Sequence, residues 1–311
     1  MKLQPRKIRS YPEDSEGKST GKVLTEKGVT VVELMIALGI GMLITGAIYA
    51  TYVSQQRSFA TQDRVSEVNS TSKIALDMIV NDIRDTGFGV PDALASFQRT
   101  AGCPGINGFV QKISFTDNDT SEDQITLIGA YRLAGNLANA VSSGATQIVL
   151  DGSTGVLNNT DRSYISIGGL STAMVTSISG SALTLNGSVP VDKSYPAGVP
   201  VYLIENVTYQ VVQGKLQKKR RMAGSGCTTI ADTDVVAENI EDLQFEMLDT
   251  NGDGTTDRIR VNVLSRAEKP DPDFEGQGNP PSKIENRDHA ITNDGFRRRL
   301  WRMEVVLRNP Q

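Results

Sequence analysis

The most prominent pattern in the chain is an apolar run that begins directly after Gly28. Residues 29–53 are almost wholly apolar, apart from Glu33 and a few threonines. At about 1.5 Å per residue, a helix of this length crosses the hydrocarbon core of a bilayer. The pattern therefore predicts a membrane-spanning helix over residues 29–53. A cleaved secretory signal peptide fits less well, because the run continues without a break into a second helical pattern.

Residues 54–86 are more polar but keep one apolar stripe. Spacings of three and four residues predict that this segment is the amphipathic half of the same helix, about 58 residues in all, with its stripe on a globular head. Gly87, Gly89 and Pro91 end the pattern. The stripe consists of Val65, Val68, Ala75, Leu76, Ile79 and Ile83.

Beyond Pro91 the pattern changes to short alternating or β-branched runs separated by Gly, Asn, Asp and Ser. The sequence predicts an α+β protein, in which a long N-terminal α-helix packs on an antiparallel β-rich head of residues 87–311. We interpret the centre of the head, residues 135–205, as an inserted β lobe. The predicted strands are 112–116, 123–131, 146–150, 163–168, 173–178, 182–186, 200–212, 239–248, 258–265 and 300–309.

Charge is informative only near the N-terminus. The net charge of −4, with both signs interspersed, gives no field that favours nucleic acid or an acidic partner. Residues 1–27 are polar and have no apolar periodicity, so we expect them to be disordered. Basic residues outnumber acidic ones in this segment. The excess predicts a cytoplasmic N-terminus and an exported C-terminal head.

The residues available for chemistry exclude most enzymatic sites. The single histidine, His289, lies in the polar stretch ENRDHAITND, which we interpret as a loop. A nucleophile, a base and an orienting group cannot be assembled from one histidine and unpaired acids, so we expect no catalytic activity.

Two cysteines, Cys103 and Cys227, lie far apart and form no CxxC pair. If the head is outside the cytoplasm, a bridge between them would stabilise it by roughly 4 to 5 kcal/mol. Two buried free thiols are the alternative interpretation.

Glu33 is the unusual residue of the apolar run, because a carboxylate costs a few kcal/mol near a bilayer interior. It either extends to the interface, is protonated, or has a partner. If the chain were cut after Gly28, the new amine of Val29 would lie four residues before Glu33, on the same helical face. The amine and the carboxylate would then neutralise each other, within one chain or between neighbours.

The segment KGVTVVELMIAL resembles the processing site of type IV prepilins, with a glycine at the cut, an apolar helix and a glutamate fifth in the mature chain. The resemblance implies cleavage between Gly28 and Val29 by a prepilin peptidase, N-methylation of Val29, and a role for Glu33 in filament assembly. Two departures are present. Val29 replaces the usual phenylalanine or methionine, and the leader is longer and more acidic than those of major pilins.

Residues 54–89, 235–268 and 297–309 resemble the PilW-type minor pilins, which are related to the J-type pseudopilins of type II secretion. The resemblance implies a type IV pilin-like fold and a subunit that initiates, primes or caps a pilus. The implied partners are other minor and major pilins, the prepilin peptidase and the inner-membrane assembly machinery. The implied location is first the inner membrane, as a single-pass protein, and then the periplasm or a surface pilus. The alternatives are a secretion pseudopilin and an uncleaved bitopic inner-membrane protein with a periplasmic binding head.

Helix packing in such a filament would use the large apolar residues, with small residues allowing close approach. The sequence offers Val31, Leu34, Ile36, Leu38, Leu43 and Ile44, with Gly39, Gly41 and Gly46 between them.

The stretch DTNGDGTTD, residues 249–257, places oxygen-bearing residues at alternate positions. This spacing resembles the first nine positions of an EF-hand-type loop, and Gly254 stands where that loop turns sharply. Arg260 occupies the position of the bidentate glutamate, so the stretch is not an EF-hand. A calcium site and a plain tight hairpin both remain open. The candidate ligands are Asp249, Asn251, Asp253, Thr255 through its backbone, and Asp257.

Two basic clusters, KLQKKRR at 215–221 and RRRLWR at 297–302, complete the candidates. Phosphate contacts of a DNA-uptake filament are one interpretation. A solvated or edge strand protected by its charge is the simpler one, and we predict no specific nucleic-acid partner. We expect Trp301, in the last strand, to pack in the core.

Overall fold

The computed structural model describes residues 28–90, 112–152, 157, 163–186, 191–222, 232–271, 274, 280–290 and 294–308. The chain divides into two units, Met1–Arg57 and Ser58–Gln311. The layout agrees with the coarse prediction of one long apolar N-terminal helix followed by an antiparallel β-rich region. The leader residues 1–27 and both cysteines, Cys103 and Cys227, lie outside the described residues.

Helix α1 spans Val31–Asp85, a length of 55 residues. It ends where the sequence predicts, because Gly87 and Gly89 have φ of 79° and 68°, in the left-handed region that glycine adopts without strain. The Gly87 N–H donates to the Ile128 carbonyl at 2.8 Å, which joins the helix end to the sheet. A Cβ on Gly89 would lie 2.9 Å from that of Ala130, so the chain passes too close for a side chain.

Fourteen strands follow among the described residues. Their bounds are β1 Ile113–Thr116, β2 Gln124–Asn136, β3 Gln147–Val149, β4 Ser163–Ile167, β5 Ser171–Ser179, β6 Ala182–Leu185, β7 Pro200–Val212, β8 Lys215–Met222, β9 Asp232–Glu238, β10 Ile240–Leu248, β11 Arg258–Arg266, β12 Lys283–Ile284, β13 Arg287–Asp288 and β14 Arg298–Val306.

Three antiparallel sheets are formed by these strands. The largest has nine strands in the order β1-β2-β7-β4-β5-β6-β3, with β8 pairing with β7 and β9 pairing with β8. Strands β10, β11 and β14 form a second sheet, and β12 and β13 form a short hairpin. The long strands β2 and β7 pair along most of their length. They therefore connect the part of the large sheet nearest α1 with the part built from residues 137–199.

The main hydrophobic core joins the second half of α1 to both larger sheets. Leu76, Ile79 and Ile83 of the helix are at most 1% exposed, and they belong to one cluster with Phe245 and Val261 of the second sheet. Trp301 packs partly buried against this cluster, as expected for the last strand. Val65 differs from the prediction because it is 41% exposed, so the buried stripe of the helix begins at Val68.

A second hydrophobic cluster uses only residues between 134 and 203. Its buried members include Leu137, Ile148, Ile165, Leu183 and Leu203. This range nearly coincides with residues 135–205, which the sequence marks as an inserted lobe. The region thus buries its own apolar side chains, while β2 and β7 carry the hydrogen-bonded ladder into the rest of the head. Whether it is an insertion stays a prediction.

The basic stretch KLQKKRR is not an edge strand, contrary to one interpretation of the sequence. It forms β8, which pairs with β7 on one side and β9 on the other. Two of its basic side chains have close acidic partners, since Lys215 lies 2.6 Å from Glu238 and Lys218 lies 2.5 Å from Asp82. The sequence pattern misses β9 because DTDVVAE is exposed over most of its length and lacks a buried alternation.

Candidate functional site

The helix begins with a hydrogen-bonded pair that joins Thr30 and Glu33. The Glu33 N–H donates to Thr30 Oγ1 at 3.2 Å, and Thr30 donates both its N–H and its hydroxyl to Glu33 Oε2, each at 2.9 Å. Thr30 is the last residue before Val31, the first helical residue. The arrangement is a capping box, in which Ser or Thr at the helix start and Glu three residues later satisfy each other's free N–H groups.

The capping box gives Glu33 a second role, at the N-terminus of the helix, which its charge in the apolar run does not predict. The signal is present in the sequence, since Thr30-Val31-Val32-Glu33 has the spacing of a capping box before an apolar run. In the structure, Val29 precedes the helix. The predicted helical pairing of Val29 with Glu33 therefore requires the helix to extend by two residues once the leader has been removed.

The first half of α1 exposes apolar side chains in every direction. It is long and apolar enough to cross a membrane, and in the described part of the chain none of its most apolar 18-residue window is buried. The residues proposed for helix packing are between 55% and 76% exposed: Val31, Leu34, Ile36, Leu38, Leu43 and Ile44. Around Gly39, Gly41 and Gly46, a Cβ would meet nothing within 4 Å, so each offers a smooth surface to a neighbour.

The glycine-rich loop of residues 249–257 connects β10 to β11 as a hairpin. Asp249 accepts the N–H of Gly252 at 2.6 Å through Oδ1 and that of Gly254 at 2.8 Å through Oδ2. The Thr250 N–H donates to Asp257 at 3.1 Å. These carboxylates are satisfied by the loop's own backbone, as in a tight turn without metal.

Other bonds in the same loop also run to the nearest backbone donors. Asn251 Oδ1 accepts the N–H of Asp253 at 3.0 Å, and Asp253 Oδ1 accepts the N–H of Thr255 at 2.8 Å. Hydrogen bonds from Thr255 and Thr250 lower the pKa of Asp253 and of Asp257, respectively. Within the described residues, no group of three or more His, Cys, Asp or Glu side chains is arranged to hold a metal. Calcium at this loop stays a prediction.

His289 lies in a buried polar cluster and not in a solvated loop. Its side chain is 9% exposed, and Nε2 lies 2.7 Å from Asp242 of β10. Asp242 also accepts the guanidinium of Arg287 at 2.7 Å and the side-chain amide of Gln244 at 3.0 Å. The cluster attaches the β12–β13 hairpin to the second sheet. We assign it a structural role, because His289, Arg287 and Gln244 all bond to the buried Asp242.

In the second basic cluster, residues 297–302, the first two arginines are paired with carboxylates. Arg298 lies 2.5 Å from both Glu241 and Asp294, and Arg297 lies 2.8 Å from the buried carboxylate of Asp271. The bonds from Asp294 and Glu241 raise the pKa of Arg298, which therefore stays charged. These contacts favour a structural role for the cluster over phosphate binding.

A scan against protein-family models and searches of curated proteins and of solved structures found no match to this chain. Functional inference therefore depends on the residues and their geometry.

Proposed function

We propose that the protein is a minor subunit of a type IV pilus-like filament, made as a prepilin and anchored in the inner membrane before assembly. This proposal rests on the combination of features at the start of α1. Gly28 precedes a capped helix with Glu33 near its beginning, and the described residues leave the following apolar half exposed.

The exposed apolar half of α1 needs an apolar environment both before and after assembly. Fully burying one large apolar side chain contributes about 1.5 to 3 kcal/mol, so the six listed above would contribute on the order of 10 kcal/mol. Lipid provides this environment before assembly, and neighbouring helices provide it in a filament. In this proposal a prepilin peptidase removes residues 1–28, Val29 becomes N-methylated, and the helices pack side by side.

Glu33 would then act between subunits. The new amine at Val29 is positive, and a carboxylate in an apolar surrounding gains strongly from an opposite charge. The β-rich head, exported beyond the membrane, would contact other minor subunits that initiate, prime or cap the filament. Major pilins and the inner-membrane assembly machinery complete the proposed partners.

The direct test is N-terminal sequencing and mass determination of the protein recovered from sheared surface filaments. A start at methylated Val29 supports the proposal. Retention of residues 1–28 in the mature protein favours an uncleaved bitopic membrane protein. A chain that is cleaved but found only with a secretion complex is instead a pseudopilin.

A further inference from the structure

A concave pocket of about 670 Å³ lies beside the C-terminal end of α1, where β2, β7 and β8 approach the helix. Its size is in the range of sites for small ligands, about 300 to 1,000 Å³. Charged side chains form most of its wall, and basic groups outnumber acidic groups. The basic residues are Arg84, Arg132, Lys218, Arg220 and Arg308, and the acidic residues are Asp82, Asp85 and Glu205.

Each acidic group of the pocket already faces a basic group. Lys218 Nζ lies 2.5 Å from Asp82, and Arg308 lies 3.6 Å from Asp85. Asp82 also accepts the hydroxyl of Tyr209 at 2.6 Å. Two of the three acids of the wall are thus neutralised by basic groups of the protein, and the third is Glu205.

Glu205 is the most deeply buried of these acids, with a side chain 1% exposed, and it lies 2.6 Å from Arg132. Burial raises the pKa of Glu205, and the positive charges of Arg132, Arg220 and Lys218 oppose that rise. A buried carboxylate of this kind requires its cation, so Arg132 is committed to the protein and has little charge left for a ligand.

Arg84 and Arg220 supply the positive charge that remains. Arg84 is exposed on the last turn of α1. Arg220 lies 3.6 Å from Asp234 of β9, whose side chain is 53% exposed and does not line the pocket. A long, solvated pair of this kind contributes little, so the Arg220 guanidinium can exchange it for a better partner.

We propose that this pocket binds an oxyanion, either a phosphate or a carboxylate group, carried by a small ligand and held by Arg84 and Arg220. Planar guanidinium groups donate two parallel hydrogen bonds to such oxygens, which makes arginine well suited to them. Phe88, Ala130 and Val207 give the same pocket an apolar wall for the carbon part of the ligand. The site is independent of the assembly role proposed above.

The test uses the purified full chain in a nonionic detergent, titrated separately with inorganic phosphate and with citrate at constant ionic strength. The two titrations distinguish a phosphate site from a carboxylate site. At about ten times the dissociation constant, binding should raise the melting temperature by about 3 to 6 °C and then saturate. Both anions also stabilise proteins by exclusion from the surface, but that effect grows without saturating.

The decisive comparison is between two double variants with the same change in charge. Arg84→Gln with Arg220→Gln removes the proposed ligands, whereas Lys73→Gln with Lys219→Gln changes the same helix and the same strand outside the pocket. We expect the first pair to lower the affinity at least about tenfold and the second to leave it within about twofold.

Isothermal titration at 15 °C, where folded protein is present throughout, measures the affinity directly. If Arg220→Gln disturbs folding, the exposed Arg84→Gln alone provides the comparison. The proposal is overturned by the absence of saturable binding of either anion. It is equally overturned if both double variants lose the same affinity, which would show a general charge effect.

Discussion

Glu33 takes part in hydrogen bonds that need no second subunit. Its carboxylate accepts two bonds from Thr30, and its N–H donates to the Thr30 hydroxyl. Such a capping box typically contributes about 1 kcal/mol to a helix start. The cost of placing an acid at the beginning of an apolar helix is therefore partly offset within the chain. The charge of Glu33 and its capping bonds are separate properties, and substitutions can separate them.

We expect Glu33→Gln to impair filament assembly much more strongly than Thr30→Ala does. Glutamine retains the capping bonds but has no charge, whereas Thr30→Ala removes the cap and retains the charge. If the charge pairs with the Val29 amine of a subunit, Glu33→Gln reduces incorporation into filaments at least about tenfold, and Thr30→Ala reduces it only slightly. Immunoblots of sheared filaments, normalised to membrane-inserted protein, provide the measurement.

Glu33→Ala, which removes both properties, is the matched reference. It should insert into the membrane as well as the unmodified chain or better, because it removes an acid from the apolar segment. Full incorporation of Glu33→Gln together with loss in Thr30→Ala would show that Glu33 serves only as a helix cap.

Ionisation of the buried Asp123 carboxyl group should lower the stability of the head as the pH rises from about 4 to 6. The side chain is 1% exposed, and burial raises its pKa from 3.8 to about 6, although the N–H groups of Phe245 and Asn118 oppose this rise. The negative charges of Asp117 and Glu285 raise it further. The folded state therefore holds the Asp123 proton more tightly than the unfolded state does. The contribution of Asp123 to the free energy of unfolding is fully present below about pH 4, and roughly 3 kcal/mol of it is lost by about pH 6.

The measurement is urea unfolding at several pH values for the unmodified chain, Asp123→Asn and the exposed control Asp119→Asn. We expect the fall in free energy of unfolding between pH 4 and 6 to be smaller in Asp123→Asn, whatever its absolute stability. The control should keep the original slope. Equal slopes in all three proteins would contradict the assignment to Asp123.

At the scale of elements, α1 has two halves with different surroundings. From Ser58 onward, its buried face begins at Val68 and includes Ser72, whose hydroxyl bonds that of Ser265 on β11. Before Arg57, nearly all of its large apolar side chains are exposed. An uninterrupted apolar run predicts the first half, and an apolar stripe with the 3.6-residue period of a helix predicts the second.

In the loop of the β10–β11 hairpin, Asp249 and Asp257 accept the loop's own backbone N–H groups. We expect Asp249→Ala to lower the melting temperature of the head by about 2 to 4 °C, because the N–H groups of Gly252 and Gly254 lose their acceptor. We also expect the unmodified chain to melt at the same temperature in millimolar calcium and in chelator. A calcium-dependent rise that Asp249→Ala abolishes would instead establish the calcium site that the sequence spacing suggests.

At the scale of the whole molecule, the buried apolar side chains of the described residues all lie between Val68 and Leu307. The three hydrophobic clusters start no earlier than Ala75. The unit Ser58–Gln311 therefore has its own cores, and the unit Met1–Arg57 contributes none of the described buried apolar residues.

A chain that begins at Ser58 should fold alone, without detergent. We expect its melting temperature to lie within about 3 °C of that of the full chain in detergent, because no core residue has been removed. Thermal unfolding followed by circular dichroism measures this. Leu76→Ala in the same short chain is the control and should lower stability by about 2 to 5 kcal/mol, as expected for a fully buried leucine. A short chain that fails to fold would contradict the division into two units.

The sequence by itself determines the features that depend on near neighbours in the chain. The 3.6-residue period of the stripe predicts α1, and Gly87 and Gly89 predict its end because only glycine adopts their backbone angles easily. Alternating β-branched runs predict most of the long strands. The Thr30–Glu33 cap is also local and readable from its spacing.

Only the tertiary structure decides which distant polar residues meet. Lys218 reaches Asp82 from a strand, and His289 reaches Asp242 across 47 positions of sequence. β8 has neighbours on both sides because β9 returns beside it, although its own sequence is mainly charged. Pairing across the fold depends on strand register and sheet order. Those are set by the packing of the whole core and not by the period of any one segment.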